Sequence, residues 1–272
     1  MTLILKSAFL GFVQGLTEFL PVSSTGHLVI IEKLFGWKDL GLAFNVAVHM
    51  GTLLALIAFF GREWIEVIKG FFRSLRVRPS RWDADGRLAW MLILATIPAA
   101  VAGAALSDQI ERNLNTLFWV ATFLVAGSLV MIAAELWGKK ARDFGALRAG
   151  DAVLVGFAQV FALAPGVSRS GITISAGMFS GLNREAAARF AFMMAAPIIG
   201  GAGLWEAIKL VRQGLGAGTP GAFAAGFVTS AVTGFFVVKY FLRYLRHGSL
   251  TPFVIYRLVV AAGVYIYLMV AW

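Results

Sequence analysis

Residues 11–30, GFVQGLTEFLPVSSTGHLVI, and residues 156–175, GFAQVFALAPGVSRSGITIS, decide the architecture of this chain. They overlie at an offset of 145 without a gap. Gly11, Phe12, Gln14, Val22, Ser23 and Gly26 then meet Gly156, Phe157, Gln159, Val167, Ser168 and Gly171. The chain reads as an internal duplication. In each half a polar segment broken by Pro, Gly and Ser sits inside apolar sequence. Paired interruptions at corresponding places of two halves point to the working site of a membrane protein.

Composition agrees. Of 272 residues 59% are hydrophobic and only 14% charged, with mean hydropathy +0.80. That is too little polar surface for a soluble domain of this size, so the apolar stretches read as transmembrane helices. A single integral membrane domain over 1–272 is expected. The first residues lack a basic segment and a small-residue cleavage site, so no cleavable signal peptide is expected. With no cysteine, disulfides, thiolate metal sites and cysteine nucleophiles are excluded. The net charge of +10 is not a nucleic-acid signature, because the basic residues lie in loops between apolar spans.

Six stretches are long enough to cross the hydrocarbon: 43–61, 88–106, 117–137, 187–208, 221–242 and 252–271. Regions 3–35 and 151–182 are apolar but interrupted, and each reads as a re-entrant helix–loop–helix. Sixteen of the 24 basic residues then fall on one side, in 62–87, in 138–151, at Arg184 and Arg189, and near 239–251. That side is cytoplasmic by the positive-inside rule. Three spans separate the two broken regions, and an odd number inverts the second half. The expected fold is an all-α polytopic membrane protein of two inverted repeats, each a re-entrant hairpin plus three transmembrane helices. Repeat one covers about 1–137, a cytoplasmic linker about 138–150, and repeat two about 151–272. Within 62–76 an amphipathic helix should lie on the inner membrane surface. Trp37, Trp90, Trp119, Trp137 and Trp272 fit interfacial belts, as do Glu135 and Glu206.

Chemistry concentrates at the two breaks. Gln14 and Glu18 are four apart and share a helix face. A carboxylate at membrane depth marks a function. Ser23 is a natural N-cap for the helix entering Leu28–Leu34. Ser24 and His27 are three apart, the spacing of an activated nucleophile pair. In the second break Arg169 is the only basic residue between Arg148 and Arg184. Its fork matches phosphate oxygens, while a salt bridge to Glu18 would also satisfy it. Two helix N-termini converging there would make an anion site. Ser23, Thr25 and Gly26, with Ser168, Ser170, Gly171 and Thr173, are the candidate substrate-binding positions. Asn45 and His49 share a face of the first full span and read as satisfied bundle polar groups.

The block from Gln14 through Glu18 to His27, the block Pro165-Gly-Val-Ser-Arg-Ser-Gly-Ile-Thr173 and the late Pro252-Phe-x-x-Tyr-Arg257 together resemble the bacterial undecaprenyl-diphosphatase (bacitracin-resistance) family. The resemblance covers essentially the whole chain. Gln14 stands where many members carry Glu. The resemblance implies hydrolysis of undecaprenyl diphosphate to undecaprenyl phosphate, and a site opening outward from the bacterial cytoplasmic membrane. It implies a divalent cation, Mg²⁺ or Ca²⁺, for which Glu18 and Gln14 are the candidate holders. Partners are then a polyprenyl diphosphate lipid and the bilayer; a homodimer stays open, and nucleic acid is not expected. Arg169 and the helix N-termini would hold the diphosphate, Ser24 attack, and Glu18 or His27 move the proton. His27 as nucleophile, with Ser24 positioning, stays open. So does a polyprenyl-phosphate transporter or flippase, which inverted broken helices also suit. A second membrane lipid-phosphatase class needs a histidine after the arginine, and none lies between His49 and His247.

Overall fold

Each of the six apolar stretches becomes a long helix in the structure, a computed structural model that describes residues 2–37, 41–213 and 219–270. The helices are α1 (Leu3–Phe19), α2 (Ser24–Leu34), α3 (Leu42–Phe59), α4 (Gly61–Ser74), α5 (Ala84–Leu114), α6 (Leu117–Trp137), α7 (Ala149–Val160), α8 (Arg169–Phe179), α9 (Arg184–Gln213), α10 (Pro220–Leu245) and α11 (Thr251–Val270). Among the described residues there is no strand. Candidate membrane spans are 42–59, 84–110, 117–137, 184–210, 220–245 and 251–270, so the sequence placed all six to within a few residues. The chain is a multi-pass membrane protein. Position 271 and Trp272, from the last expected span and the aromatic belt, lie outside the described residues.

Exposure confirms what surrounds the bundle. Leu136, Met269 and Val270 are 71%, 80% and 81% exposed, which water would penalise and lipid does not. Between helices there is no hydrophobic drive in lipid, so close contact needs small residues. Gly11 and Gly15 of α1 press on α10. A Cβ at Gly11 would stand 2.3 Å from the Gly226 carbonyl oxygen, and one at Gly15 would stand 2.6 Å from that of Ser230. The equivalent of Gly11, Gly156 of α7, presses on α5 in the same way, with the Ala95 carbonyl 2.6 Å from its would-be Cβ. Thus α1 packs along α10 and α7 along α5, each against a helix from the other half.

The loops rich in basic residues are tied down. Asp83 caps α5, accepting from the Gly86 N–H at 2.7 Å, and pairs with Arg73 of α4 at 2.7 Å. The Gly86 hydrogen bond, then Arg73, holds its carboxyl below the usual carboxylate range. Trp82 stacks on Trp90, whose indole N–H donates to Ser74 Oγ at 3.0 Å. So α4 is amphipathic, with Val67 inward and Ile65, Ile68 and Phe72 outward. In the 138–150 linker Arg142 donates both arms to Asp151, at 3.0 and 2.7 Å, and its N–H bonds to the Gly181 carbonyl.

Candidate active site

Helix α1 stops at Phe19 because Leu20 turns extended and Pro21 follows. Helix α8 is preceded by the break from Ala164 to Val167. Both following helices are capped identically. Ser23 has φ 76° and its Oγ accepts from the Gly26 N–H; Ser168 has φ 77° and its Oγ accepts from the Gly171 N–H. L-residues rarely adopt that left-handed backbone, and it is worth holding only where structure around it over-determines it. Here the two breaks are stitched to each other. Ser23 Oγ also accepts from the Gly166 N–H at 3.2 Å, and Ser170 Oγ donates to the Leu20 carbonyl at 2.9 Å.

The stitching brings both helix N-termini to one polar cavity of about 50 Å³, bordered by Glu18, Ser24, Thr25, His49, Ser168 and Arg169. The first N–H groups of α2 and α8 have no intrahelical acceptor, so both positive helix ends serve the cavity. Glu18 is its only carboxylate. Its Oε2 accepts from Ser24 Oγ at 2.6 Å and from Gln14 Nε2 at 2.9 Å. Arg169 Nη1 stands 3.5 Å from Glu18 Oε1, an ion pair without a hydrogen bond, and that nitrogen is buried with no hydrogen-bond partner. His49 Nδ1 donates to the Asn45 carbonyl at 2.8 Å, which leaves Nε2 facing Glu18 Oε2 at 3.9 Å.

A hydroxyl on a carboxylate is a nucleophile with its base in place. A guanidinium with an unspent N–H beside it is a ready phosphate clamp. The cavity is far too small for hydrocarbon. An apolar groove of about 440 Å³, floored by Phe123, Val130 and Ile172, begins beside it and shares Leu163 and Ala164 with its wall.

The structure gathers Gln14, Glu18, Ser24 and Arg169, as the sequence suggested, but it does not pair Ser24 with His27. His27 Nδ1 donates to the Ser23 carbonyl at 2.8 Å, and Nε2 meets the Tyr256 hydroxyl at 2.7 Å with the two rings stacked. One helical turn separates the two residues, yet α2 starts at Ser24, so Ser24 turns back to Glu18 while His27 faces α11. His49, read from sequence as a bundle polar group, takes the place beside Glu18. Among the candidate substrate-binding residues Thr25 is exposed at the cavity, whereas Thr173 Oγ1 donates back to the Arg169 carbonyl at 2.7 Å. Sequence reasoning quoted Arg257 only within the late segment that carries the family resemblance and gave it no role, although a lone charge in an apolar span was a signal for one.

Known proteins resemble this chain over nearly its whole length. A family model described as bacitracin resistance protein BacA matches residues 7–263. A Thermomicrobium roseum protein named undecaprenyl-diphosphatase is 42% identical over 275 residues, covering 98% of this chain and 98% of its own length. One from Hahella chejuensis with the same name is 40% identical over 268 residues, covering 98% and 99%. A third, from Geobacter sulfurreducens, is 42% identical over 268 residues, covering 97% and 98%. A match this long takes in both breaks and every helix between them, and the chain therefore belongs to the BacA bacitracin-resistance family.

Proposed function

We propose that the chain is an undecaprenyl-diphosphatase. It hydrolyses undecaprenyl diphosphate to undecaprenyl phosphate and inorganic phosphate, returning a lipid carrier for cell-wall synthesis and conferring bacitracin resistance. The observation that carries this reading is the 2.6 Å hydrogen bond from Ser24 Oγ to Glu18 Oε2 in a cavity that Arg169 also borders. The adjoining apolar groove supports a lipid substrate, since a tail can leave the cavity without crossing a polar wall.

In this reading Arg169 and the N–H groups opening α2 and α8 hold the terminal phosphoryl group. Glu18 takes the Ser24 proton as Oγ attacks the terminal phosphorus. The O–P bond to Ser24 forms and the anhydride bond breaks, releasing undecaprenyl phosphate as an anion that needs no proton. Water then attacks the phosphoserine. The proton held by Glu18 returns to Ser24 Oγ as the Ser24–phosphorus bond breaks, one proton of the water then leaves by way of the freed Glu18 carboxylate, and the other stays on the departing inorganic phosphate. His49 can shuttle the proton beyond Glu18, because its Nδ1 proton is fixed on Asn45 and its Nε2 faces Glu18. The engagement of both His27 nitrogens favours Ser24 over His27 as nucleophile.

A divalent cation fits only as a shared guest. The described residues hold no cluster of three or more His, Cys, Asp or Glu side chains for one. Gln14 Oε1, however, is buried without a hydrogen-bond partner beside Glu18. Glu18 and Gln14 would hold Mg²⁺ or Ca²⁺ together with diphosphate oxygens, the usual Mg²⁺ arrangement of few carboxylates plus substrate phosphate. When bound it would neutralise diphosphate charge.

The two helix–break–helix units read as re-entrant hairpins of inverted repeats. The exchanged packing of α1 on α10 and α7 on α5 supports this, with three candidate spans between the hairpins. The loops at 62–87 and 138–151 would face the cytoplasm, and the site would open to the periplasmic side of the bacterial inner membrane. Paired breaks also suit a flippase for polyprenyl phosphate, but the Ser24–Glu18 bond has no task in one. The test is phosphate release from farnesyl or undecaprenyl diphosphate by purified chain in detergent, with an acid quench of ³²P-labelled substrate. Label on Ser24 is expected. No phosphate release, with transfer retained in vesicles, would leave the flippase.

A further inference from the structure

Arg257 is fully buried, and it is the only charged residue of α11. Among the described residues no carboxylate pairs with it. Its guanidinium is satisfied by dipoles instead. Nη1 donates to the Pro21 carbonyl at 3.1 Å; Nη2 donates to the carbonyls of Gly166 at 3.0 Å and Val167 at 3.1 Å. The remaining bonds go to α6, from Nε to Ser128 Oγ at 3.0 Å and from Nη2 to the Leu124 carbonyl at 3.0 Å. One side chain therefore holds the first break, the second break and the helix beneath them. Room for it is built into α6. A Cβ on Gly127 would lie 2.4 Å from Arg257 Nη2 and 2.6 Å from the Val167 carbonyl. The preceding residue, Tyr256, meets His27 of α2.

Burying a guanidinium costs several kcal/mol even after relaxation. A neutral side chain could pack α11 on α6 without that cost. What it could not do is draw carbonyls of two separate breaks toward one planar fork. Pro21 is three residues before Ser24, and Val167 two before Arg169, so the fork sets where the nucleophile and the clamp stand relative to each other. Its charge, left without a counter-ion, also biases the neighbouring cavity toward anions.

We propose that Arg257 is a positioning residue of this site: it locks the two breaks at the spacing that aims both helix N-termini, Ser24 and Arg169 at one phosphoryl group, and it supplies part of the positive potential there. The proposal rests on the phosphatase reading for its kinetic half only.

The experiment compares wild type with Arg257→Lys and Arg257→Met as purified proteins, first by thermal unfolding with and without methylenediphosphonate, an unhydrolysable anion, and then by steady-state kinetics. Because misplacing reacting groups by about 1 Å costs on the order of 100-fold, Arg257→Lys, which keeps the charge and loses the fork, should lower kcat by about that factor. Its KM should stay within a few-fold, and the anion should still protect it against unfolding. Arg257→Met should lose both kcat and anion protection. A purely structural role predicts otherwise: both variants unfold more easily, yet the folded fraction keeps wild-type kcat, KM and anion protection. That outcome overturns the proposal. If wild type itself releases no phosphate, the phosphatase reading fails, while anion protection still decides the charge-and-spacing half. Should both variants fail to fold, Gly127→Ala, which crowds the same guanidinium from α6, takes their place with the same two readouts. Wild-type kcat and protection there would equally overturn the proposal.

Discussion

The two breaks have the same backbone and opposite chemistry. Ser23 and Ser168 share a left-handed conformation and the same capping bond, and Gln14 and Gln159, nine residues before each, are both buried. At the offset of 145, however, Leu163 stands at the place of Glu18, Arg169 at that of Ser24, and Ile172 at that of His27. One copy carries the acid residue and hydroxyl, the other the cation. Two breaks of the same backbone bring two helix N-termini to one cavity, and only the difference between their side chains makes that cavity asymmetric. The comparison also explains why neither half is a site alone. Arg169 meets Glu18 where Ser23, Ser170 and Arg257 hydrogen-bond across the two breaks.

The largest effects should come from the first break. Ser24→Ala removes the proposed nucleophile, and Glu18→Gln removes its proposed base while keeping the shape. Each should cost on the order of 1,000-fold in kcat, about 4 kcal/mol, the scale of losing a group used in the transition state. Phosphate-release assays check both. A Ser24→Ala enzyme that keeps a tenth of the rate would remove Ser24 as nucleophile. Arg169→Lys, in the second break, should be milder. It keeps the charge but not the fork, and about 100-fold in kcat/KM, or roughly 3 kcal/mol, is expected by analogy with other charge-stabilising donors. Equal losses at Ser24 and Arg169 in kcat alone, with KM untouched, would blur the division of labour proposed here.

Much of this was legible in sequence, and the physics says why. Spans are read from length and hydropathy because lipid forces every backbone group to be paired within a helix. The two breaks announced themselves by Pro, Gly and Ser inside apolar sequence. Glu18 and Arg169 stood out as charges where charge is costly. What stayed hidden was orientation. Spacing put Ser24 beside His27, but which way each turns depends on where α2 begins and on Tyr256, more than two hundred residues away. His49 was visible as a polar residue, yet nothing local says that α3 brings it to Glu18. Arg257 carried the same signal as Arg169, but its many carbonyl partners come from three distant segments.

The two histidines sharpen the comparison next. With Nε2 facing Glu18, His49→Gln should lower kcat about tenfold, less than the roughly 100-fold or more of a group that meets the reacting proton itself, because it acts beyond Glu18. His27→Gln should slow the enzyme less, because its nitrogens face Ser23 and Tyr256. Phosphate-release rates of both variants decide it. If His27→Gln loses more than His49→Gln, the proton path runs through α2.

The smallest effect separates the equivalent glutamines. Gln14 donates to Glu18 at 2.9 Å, so Gln14→Met should strip a partner from that carboxylate and lower activity. Gln159 is equally buried, but Leu163 stands where its carboxylate partner would be, and neither amide atom has a protein hydrogen-bond partner. A buried polar group without a partner costs about 1–3 kcal/mol. Gln159→Met, of similar volume, should therefore leave activity within about twofold, well under the 1.4 kcal/mol of a tenfold change, and raise the unfolding temperature slightly. Both are read on the same preparations by thermal unfolding and phosphate release. If Gln159→Met instead destabilises the protein or slows it as much as Gln14→Met, the second glutamine has kept a partner or a role, and the two breaks have diverged less than their charges suggest.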